Sequence, residues 1–179
     1  MTDDAFADAM AIAVSFTGLL ERLDIRYLVG GSVASSVHGE PRSTNDIDIV
    51  ADLRPERLDA FVEALSTEYY VSRTAAREAV RLGASFNVIH VGAAVKVDVF
   101  VAGRDPFNEE RLKRRQLIEI SDDPPASIYV DTAEHSVLRK LEWFRRGGEV
   151  SDRQWRDVVA ILRLQGESLD RTHLATWAD

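Results

Sequence analysis

The apolar positions near the start of the chain predict an amphipathic helix over the first two dozen residues. They recur at the intervals of three and four residues that bring side chains onto one helical face. They are Met10, Ile12, Ala13, Phe16, Leu19, Leu20 and Leu23. The segment RYLVGG then predicts a short strand ending in a glycine turn. A brief helix is expected over residues 32–38, followed by the polar loop GEPRSTN and a strand at DIDIVAD.

The middle of the chain predicts one helix and a hairpin. PERLDAFVEALST carries an apolar helical stripe behind Pro55 in its first turn. SFNVIHV and VKVDVFVA are rich in β-branched residues and flank a Gly-Ala-Ala turn, which is typical of an antiparallel hairpin. RQLIEI and ASIYV indicate two further strands.

The last third predicts helices. Asp131 with Glu134, and Ser151 with Gln154, have the spacing of capping boxes before apolar-periodic runs. These patterns favour an α/β fold with a mixed sheet of about four to six strands, flanked by helices. We expect a core over residues 1–123 and a helical C-terminal portion over residues 124–179, unless the two form a single domain. An active cleft is expected between them.

Composition and charge narrow the class. A chain of 179 residues with 45% hydrophobic residues can bury one compact core. The absence of cysteine excludes thiolate chemistry and favours a cytoplasmic location. Acids in the N-terminal segment and its short apolar stretch predict neither export nor a membrane span. The net charge of -8 argues against salt-driven binding of nucleic acid by the whole surface, although a local basic groove stays open.

Three aspartates are the strongest candidates for chemistry. Asp46 and Asp48 project from one face of their strand about 7 Å apart, while the alternate isoleucines point into the core. Asp98 is an acid within the second hairpin strand, so three carboxylates converge if the two strands are neighbours. Clustered carboxylates repel one another unless a cation neutralises them, and their oxygen ligands suit Mg²⁺ or Mn²⁺ better than zinc.

A glycine turn precedes these carboxylates. Gly30 and Gly31 allow close approach of the backbone, and Ser32 begins a helix whose free N–H groups favour an anion. The pattern therefore predicts a seat for a triphosphate. Arg42, in the following loop, suits either a phosphate or an aspartate, although it could also simply solvate the loop.

The segment LVGGSVASSVHGEPRSTNDIDIV resembles the glycine-glycine-serine and Asp-x-Asp signature of the DNA polymerase β-like nucleotidyltransferase superfamily. Arg42 and Thr44 look like the approach to these aspartates in the AbiEii toxin-like branch and in small antibiotic nucleotidyltransferases. The resemblance implies that Ser32 contacts the triphosphate and that Asp46, Asp48 and Asp98 bind metal. It also assigns the glycine turn, Arg42 and Thr44 to nucleotide binding.

The segment EHSVLRKLEWFRRGGEVSDRQWRDVVAIL is also similar to the toxin-like branch, in which a helical lysine reaches phosphate and an aspartate follows. The matching positions are Lys140 and Asp157, although Asp157 could instead pair with Arg153. Other residues have simpler interpretations: His38 as structural or solvent-facing, and the tryptophans as packing residues. Two basic runs are expected to be solvated helix faces: Arg111, Lys113, Arg114 and Arg115, and Arg139, Lys140, Arg145 and Arg146.

The implied reaction moves a nucleotide from a nucleoside triphosphate to an acceptor hydroxyl, with release of pyrophosphate. The acceptor stays open between an RNA or tRNA, a protein side chain and a small hydroxylated antibiotic, and the toxin-like resemblance favours the first two. It also raises a cognate antitoxin as a partner. The alternatives are a non-catalytic module that binds a nucleotide or a protein, and a metal-independent structural protein.

Overall fold

The computed structural model describes residues 3–42, 44, 46–103 and 105–178, and of residues 3–8 only the backbone. The start of the predicted first helix and residues 43 and 45 of the predicted loop lie outside the described residues. Helices and strands follow one another along the described chain in this order: α1 Asp3–Arg22, β1 Tyr27–Val29, α2 Gly31–His38, β2 Asp46–Ala51, α3 Pro55–Leu65, β3 Tyr69–Val71, α4 Arg73–Leu82, β4 Ser85–His90, β5 Val95–Val101, α5 Pro106–Arg114, β6 Gln116–Asp122, β7 Pro125–Val130, α6 Ala133–Arg146, α7 Asp152–Gln165, a 3-10 turn Gly166–Ser168 and α8 Arg171–Trp177.

The strands form one mixed sheet in the order β3-β4-β5-β2-β1-β7-β6. β2 pairs with β5 and β1 with β7 in parallel, whereas the other neighbours are antiparallel. The predicted α/β class and the β4–β5 hairpin are confirmed. The expected four to six strands are wrong, because the sheet in the described residues has seven. The predicted division after residue 123 lies in the turn between the paired strands β6 and β7, and it stays a prediction.

One face of the sheet carries the main core beneath α1, α3 and α4. Phe16 meets Phe61 and Tyr69 edge to face, with ring centroids 6.1 and 5.4 Å apart. Ile47 and Ile49 of β2 are fully buried on this face. Because side chains alternate along a strand, the intervening Asp46 and Asp48 must project from the opposite face.

The opposite face is covered unevenly. Leu28, Val50 and Leu112 form a small apolar cluster under α5, with Phe100 packed against it. Beyond this cluster, α2, α6 and α7 pack on one another through Val137, Val158 and Ile161, among others. The face that bears the aspartates is therefore left open between the sheet and these helices.

Three elements were not predicted, namely β3, α4 and α5. β3 has only three residues, too few for a periodic pattern. α4 buries only Ala76 and Ala79, which give a weak apolar stripe. α5 is mostly charged and buries only Arg111 and Leu112, so it has almost no apolar stripe.

The capping predictions divide. Ser151 caps α7 by accepting from the backbone N–H of Gln154 at 3.4 Å, as predicted. The predicted cap at Asp131 is wrong, because Thr132 caps α6 through the N–H of His135 at 3.2 Å. The carboxylate of Asp131 is instead engaged by Arg111. Among the described helices, none is long and apolar enough to cross a membrane.

Candidate active site

The parallel pairing of β2 with β5 brings the predicted aspartates together. Asp48 lies directly beside Asp98 in the register, and Asp46 lies beside Lys96. We call Asp46, Asp48 and Asp98 the carboxylate cluster. Their environments differ, because the side chain of Asp46 is 58% exposed and that of Asp98 is 19% exposed. The condition set from the sequence, that the two strands are neighbours, is therefore met.

The charges around the carboxylate cluster affect its aspartates. Burial raises the pKa of Asp48, and the neighbouring charge of Asp98 raises it further. The ammonium of Lys96 lies 2.9 Å from Oδ2 of Asp98 and 3.4 Å from Oδ1 of Asp46. As the side chains stand, the described residues include no group of three or more His, Asp or Glu close enough to hold a metal ion.

The glycine turn is built against Asp48. The N–H of Gly30 donates to the carbonyl of Asp48 at 2.8 Å, which ties the turn to β2. Gly31 has a φ of +54°, and a Cβ atom there would lie 1.7 Å from Oδ2 of Asp48. Only glycine satisfies both constraints, because any side chain would be strained and would displace the carboxylate. The turn therefore delivers the N-terminus of α2 directly to the carboxylate cluster.

Arg42 joins the glycine turn to the C-terminal helices. Its guanidinium donates to Ser32 Oγ, and its Nε and Nη2 each donate to Asp157 at 3.1 Å. Lys140 Nζ donates to the same carboxylate at 2.7 Å and to Gln154 at 3.3 Å. Asp157 is thus held by Arg42 and Lys140 rather than by Arg153, the partner in the simpler interpretation.

Burial and charge oppose each other in this ion-paired group. Burial by itself would raise the pKa of Asp157, but hydrogen bonds from Arg42 and Lys140 outweigh it and lower that pKa. Burial also lowers the pKa of Lys140, against the attraction of Asp157. Asp157 therefore stays ionised and fixes two cations at the edge of the cleft.

Thr44 supports the start of β2. Its hydroxyl donates to the carbonyl of Asp46 at 2.9 Å and lies 3.3 Å from the N–H of the same residue. Thr44 is buried, so these contacts hold the backbone that carries the first aspartate.

The cleft has a volume of about 290 Å³. Asp48 and the glycine turn line one side. The lining also includes a group of cations that we call the basic wall: Arg42, Arg111, Arg139, Lys140 and Arg153. A chain with a net charge of -8 thus concentrates positive charge in one place, which favours an anionic ligand there.

Two comparisons with known proteins bear on this site. A family model described as nucleotidyl transferase AbiEii toxin, Type IV TA system, matches residues 17–179. The chain belongs to this family. The resemblance expected from the sequence is confirmed, and the AbiEii-family chain is a nucleotidyltransferase. No curated protein matches its sequence.

Solved structures share the fold of the AbiEii-family chain. An antigenic nucleotidyltransferase-like protein from Paracoccidioides brasiliensis is 14% identical, with a TM-score of 0.60 over 98% of this chain and 86% of that one. ANT(2")-Ia in complex with adenylyl-2"-tobramycin is 12% identical, with a TM-score of 0.61 over 96% and 97%. A lincomycin-bound lincosamide antibiotic adenylyltransferase is 14% identical, with a TM-score of 0.52 over 83% and 92%.

The sequence missed part of the site. Arg111 was expected on a solvated helix face, but it is buried and donates to Asp131 Oδ2 through Nε at 3.0 Å and Nη2 at 2.6 Å. Burial by itself would raise the pKa of Asp131, yet the charge of Arg111 outweighs it and lowers that pKa. No local pattern announces this pair, because 20 residues separate its members. The expectation of a solvated helix face was also wrong for Arg139. Burial and the neighbouring charge of Arg111 lower the pKa of this arginine.

The predictions for Trp143 and His38 have different outcomes. Trp143 was expected to be a packing residue, but it lines the cleft and is 45% exposed. Arg139 and Arg146 lie 6.0 and 5.8 Å from the centre of its ring. His38 is structural as expected, since it is buried with Nε2 2.6 Å from the carbonyl oxygen of Asp131.

Proposed function

We propose that this nucleotidyltransferase moves a nucleoside monophosphate from a nucleoside triphosphate to a hydroxyl group of an RNA, with a requirement for Mg²⁺ or Mn²⁺. The observation that carries the proposal is the cleft itself. Asp48, beside Asp98 on the sheet, lines the same cleft as the basic wall. This arrangement brings carboxylates suited to a divalent cation close to cations suited to a triphosphate.

The carboxylate cluster fits a divalent cation by its chemistry. All its donors are carboxylate oxygens, the ligands that Mg²⁺ and Mn²⁺ favour. The raised pKa of Asp48 reflects burial and the nearby negative charge of Asp98, and a bound cation would relieve both costs. When bound, the ion would supply charge neutralisation to the reacting phosphate and to the attacking hydroxyl.

The glycine turn and the basic wall are assigned to the triphosphate. α2 begins at Gly31 in the lining of the cleft, the first N–H groups of a helix favour an anion, and Gly31 leaves no side chain in the way. Lys140 and Arg42 are held by Asp157, so they can meet phosphate oxygens without losing conformational freedom on binding. Arg111 and Arg139 are further cations in the lining of the cleft.

The reaction conserves atoms in a single displacement. The acceptor oxygen forms a bond to the α-phosphorus while the bond from that phosphorus to the bridging oxygen breaks, and pyrophosphate leaves with the bonding electrons. The hydroxyl proton goes to a carboxylate, for which we assign Asp98. Correct placement of the two substrates is expected to supply most of the rate enhancement.

RNA is the favoured acceptor because of the mouth of the cleft. Trp143 is exposed there between Arg139 and Arg146, a combination suited to a nucleobase and its phosphates. The family description, which names a toxin, favours an RNA or a protein acceptor over an antibiotic. The antibiotic adenylyltransferases share only the fold at this level of identity, so a small antibiotic is the alternative acceptor.

The test is transfer of label from each α-phosphate-labelled nucleoside triphosphate in the presence of Mg²⁺ and total RNA. We expect labelled RNA with the wild type and none with the Asp46→Asn, Asp48→Asn double variant. Label on protein, or on an aminoglycoside or lincosamide added in place of RNA, would overturn the choice of acceptor. Absence of both transfer and metal-dependent triphosphate binding would overturn the proposed mechanism.

A cognate antitoxin is the further partner we propose, because the family description names a toxin–antitoxin system. Induced expression of the wild-type chain in a bacterial host should arrest growth, whereas the double variant should not. Growth at the same rate with both chains would contradict a toxin.

A further inference from the structure

Lys96 occupies a position inside the carboxylate cluster that the proposed reaction does not use. The β2–β5 register sets it directly beside Asp46, two residues along the strands from the Asp48–Asp98 pair. Since Lys96 and Asp98 are two residues apart on β5, their side chains project from the same face of the sheet. An ammonium group is therefore built into the same surface as the three aspartates.

The contacts of Lys96 bridge the cluster. Its Nζ lies 2.9 Å from Oδ2 of Asp98 and 3.4 Å from Oδ1 of Asp46. Among the ion pairs of the described residues, Lys96 provides the cation in both pairs that involve these two aspartates. Lys140, the other lysine near the cleft, is paired with Asp157 instead.

We propose that Lys96 is an internal counter-ion that competes with the divalent cation for Asp46 and Asp98. This inference rests on the proposed metal-dependent function. An ammonium and a metal ion cannot use the same carboxylate lone pairs, and two neighbouring positive charges repel each other. Metal binding then requires Lys96 to release at least Asp98.

The side chain of Lys96 can make this movement. It is 40% exposed, and its flexible four-carbon stem can carry the ammonium into solvent. In the metal-free protein, the same ammonium reduces the repulsion among the three aspartates. Lys96 thus stabilises the metal-free cluster. It also weakens the affinity of the cluster for metal, because the metal ion must displace the ammonium.

The test is direct binding of Mn²⁺, measured from the signal of the free ion by electron paramagnetic resonance. We compare wild type, Lys96→Met and Lys96→Arg, with Lys113→Met as a matched control, because Lys113 is an exposed lysine of α5. Lys96→Met should bind Mn²⁺ at least about tenfold more tightly than wild type, since one nearby positive charge is removed. Lys96→Arg and Lys113→Met should bind within about twofold of wild type.

Thermal unfolding provides a second measurement on the same proteins. Without metal, Lys96→Met should unfold at a lower temperature than wild type, and Mn²⁺ should raise its unfolding temperature by more than it raises that of wild type. Unchanged or weaker Mn²⁺ binding by Lys96→Met, while wild type binds, would overturn the role of Lys96 alone. No Mn²⁺ binding by any of these proteins would overturn both the competition and the proposed metal site.

Discussion

The acids of the carboxylate cluster and the acids paired with the basic wall are in opposite electrostatic situations. In the carboxylate cluster, burial and Asp98 raise the pKa of Asp48. Behind the basic wall, Asp131 and Asp157 are also buried, but their arginine and lysine partners lower their pKa values. The acids behind the wall are permanent counter-ions, whereas Asp48 is kept in a site where a cation from solution would be favoured.

This contrast, rather than burial, distinguishes the acids that stabilise the fold from the acid proposed to bind a metal ion. Asp48 is half-buried and Asp157 is buried, and both match positions of the family resemblance. Their partners differ, because Asp157 accepts hydrogen bonds from two cations and Asp48 faces another carboxylate. The partner, rather than the acid itself, shows which side chain holds the protein together.

The largest effect is expected from Asp48→Asn. Transfer of nucleotide should fall by at least about 100-fold, because a metal-binding and charge-organising group is lost. The free energy of unfolding measured without metal should rise, because the substitution removes a charge that the fold disfavours. Label transfer and urea denaturation measure the two quantities.

The exposed Asp122 of β6 supplies the control for that variant. Asp122→Asn should leave both activity and stability unchanged. If Asp48→Asn lowered stability as strongly as activity, Asp48 would be a structural acid. The contrast between the carboxylate cluster and the acids paired with the basic wall would then be wrong.

Asp131→Asn should have the largest effect on stability. It leaves Arg111 buried without its counter-ion, and we expect the free energy of unfolding to fall by about 3–5 kcal/mol. Asp52→Asn is the matched control, since Asp52 pairs with Arg26 where that arginine is 41% exposed, and its loss should cost about 0–1 kcal/mol. Urea denaturation of both variants makes the comparison, and equal losses would show that burial of the first pair has no special weight.

Gly31→Ala should disturb the carboxylate cluster through shape alone. The new methyl group would meet Oδ2 of Asp48, and the positive φ adds strain, so we expect a loss of roughly 2–3 kcal/mol together with loss of transfer activity. Gly148→Ala shares a positive φ of +75° but has no atom within 4 Å of its Cβ position. That control should lose about 1–2 kcal/mol and keep full activity. Loss of activity in both variants would remove the evidence for the contact with Asp48.

The smallest effect is a difference between Asp48 and Asp157 in how their contributions to stability depend on pH. Because the pKa of Asp48 is raised by folding, the wild type gains stability relative to Asp48→Asn as the pH falls through that pKa. The pKa of Asp157 is lowered, so its contribution is complete above its unfolded value of about 3.9 and is lost as the pH falls through the folded value.

Urea denaturation without metal, from pH 7 to pH 3, checks these two signs against Asp48→Asn and Asp157→Asn. Neither slope should exceed about 1.4 kcal/mol per pH unit, the limit for one proton. Slopes of the same sign for both aspartates would contradict the proposed division of roles.

The sequence by itself determined the features that depend on neighbours along the chain. Asp46 and Asp48 share a face because strand side chains alternate, and the same alternation sets Ile47 and Ile49 into the core. The glycine turn was predicted ahead of the Asp-x-Asp strand because two adjacent glycines allow close approach of the backbone. The family signature lies in these local segments, so the nucleotidyltransferase class was readable without coordinates.

Only the tertiary structure decided which distant residues meet. The parallel pairing of β2 with β5 set Asp98 beside Asp48 and Lys96 beside Asp46. Helix packing brought Arg42 to Asp157, which is 115 residues away. It also turned Arg111 from an expected surface residue into a buried one. Hydrogen bonds and ion pairs act over a few ångströms whatever the separation along the chain, so no local pattern of charges can specify them.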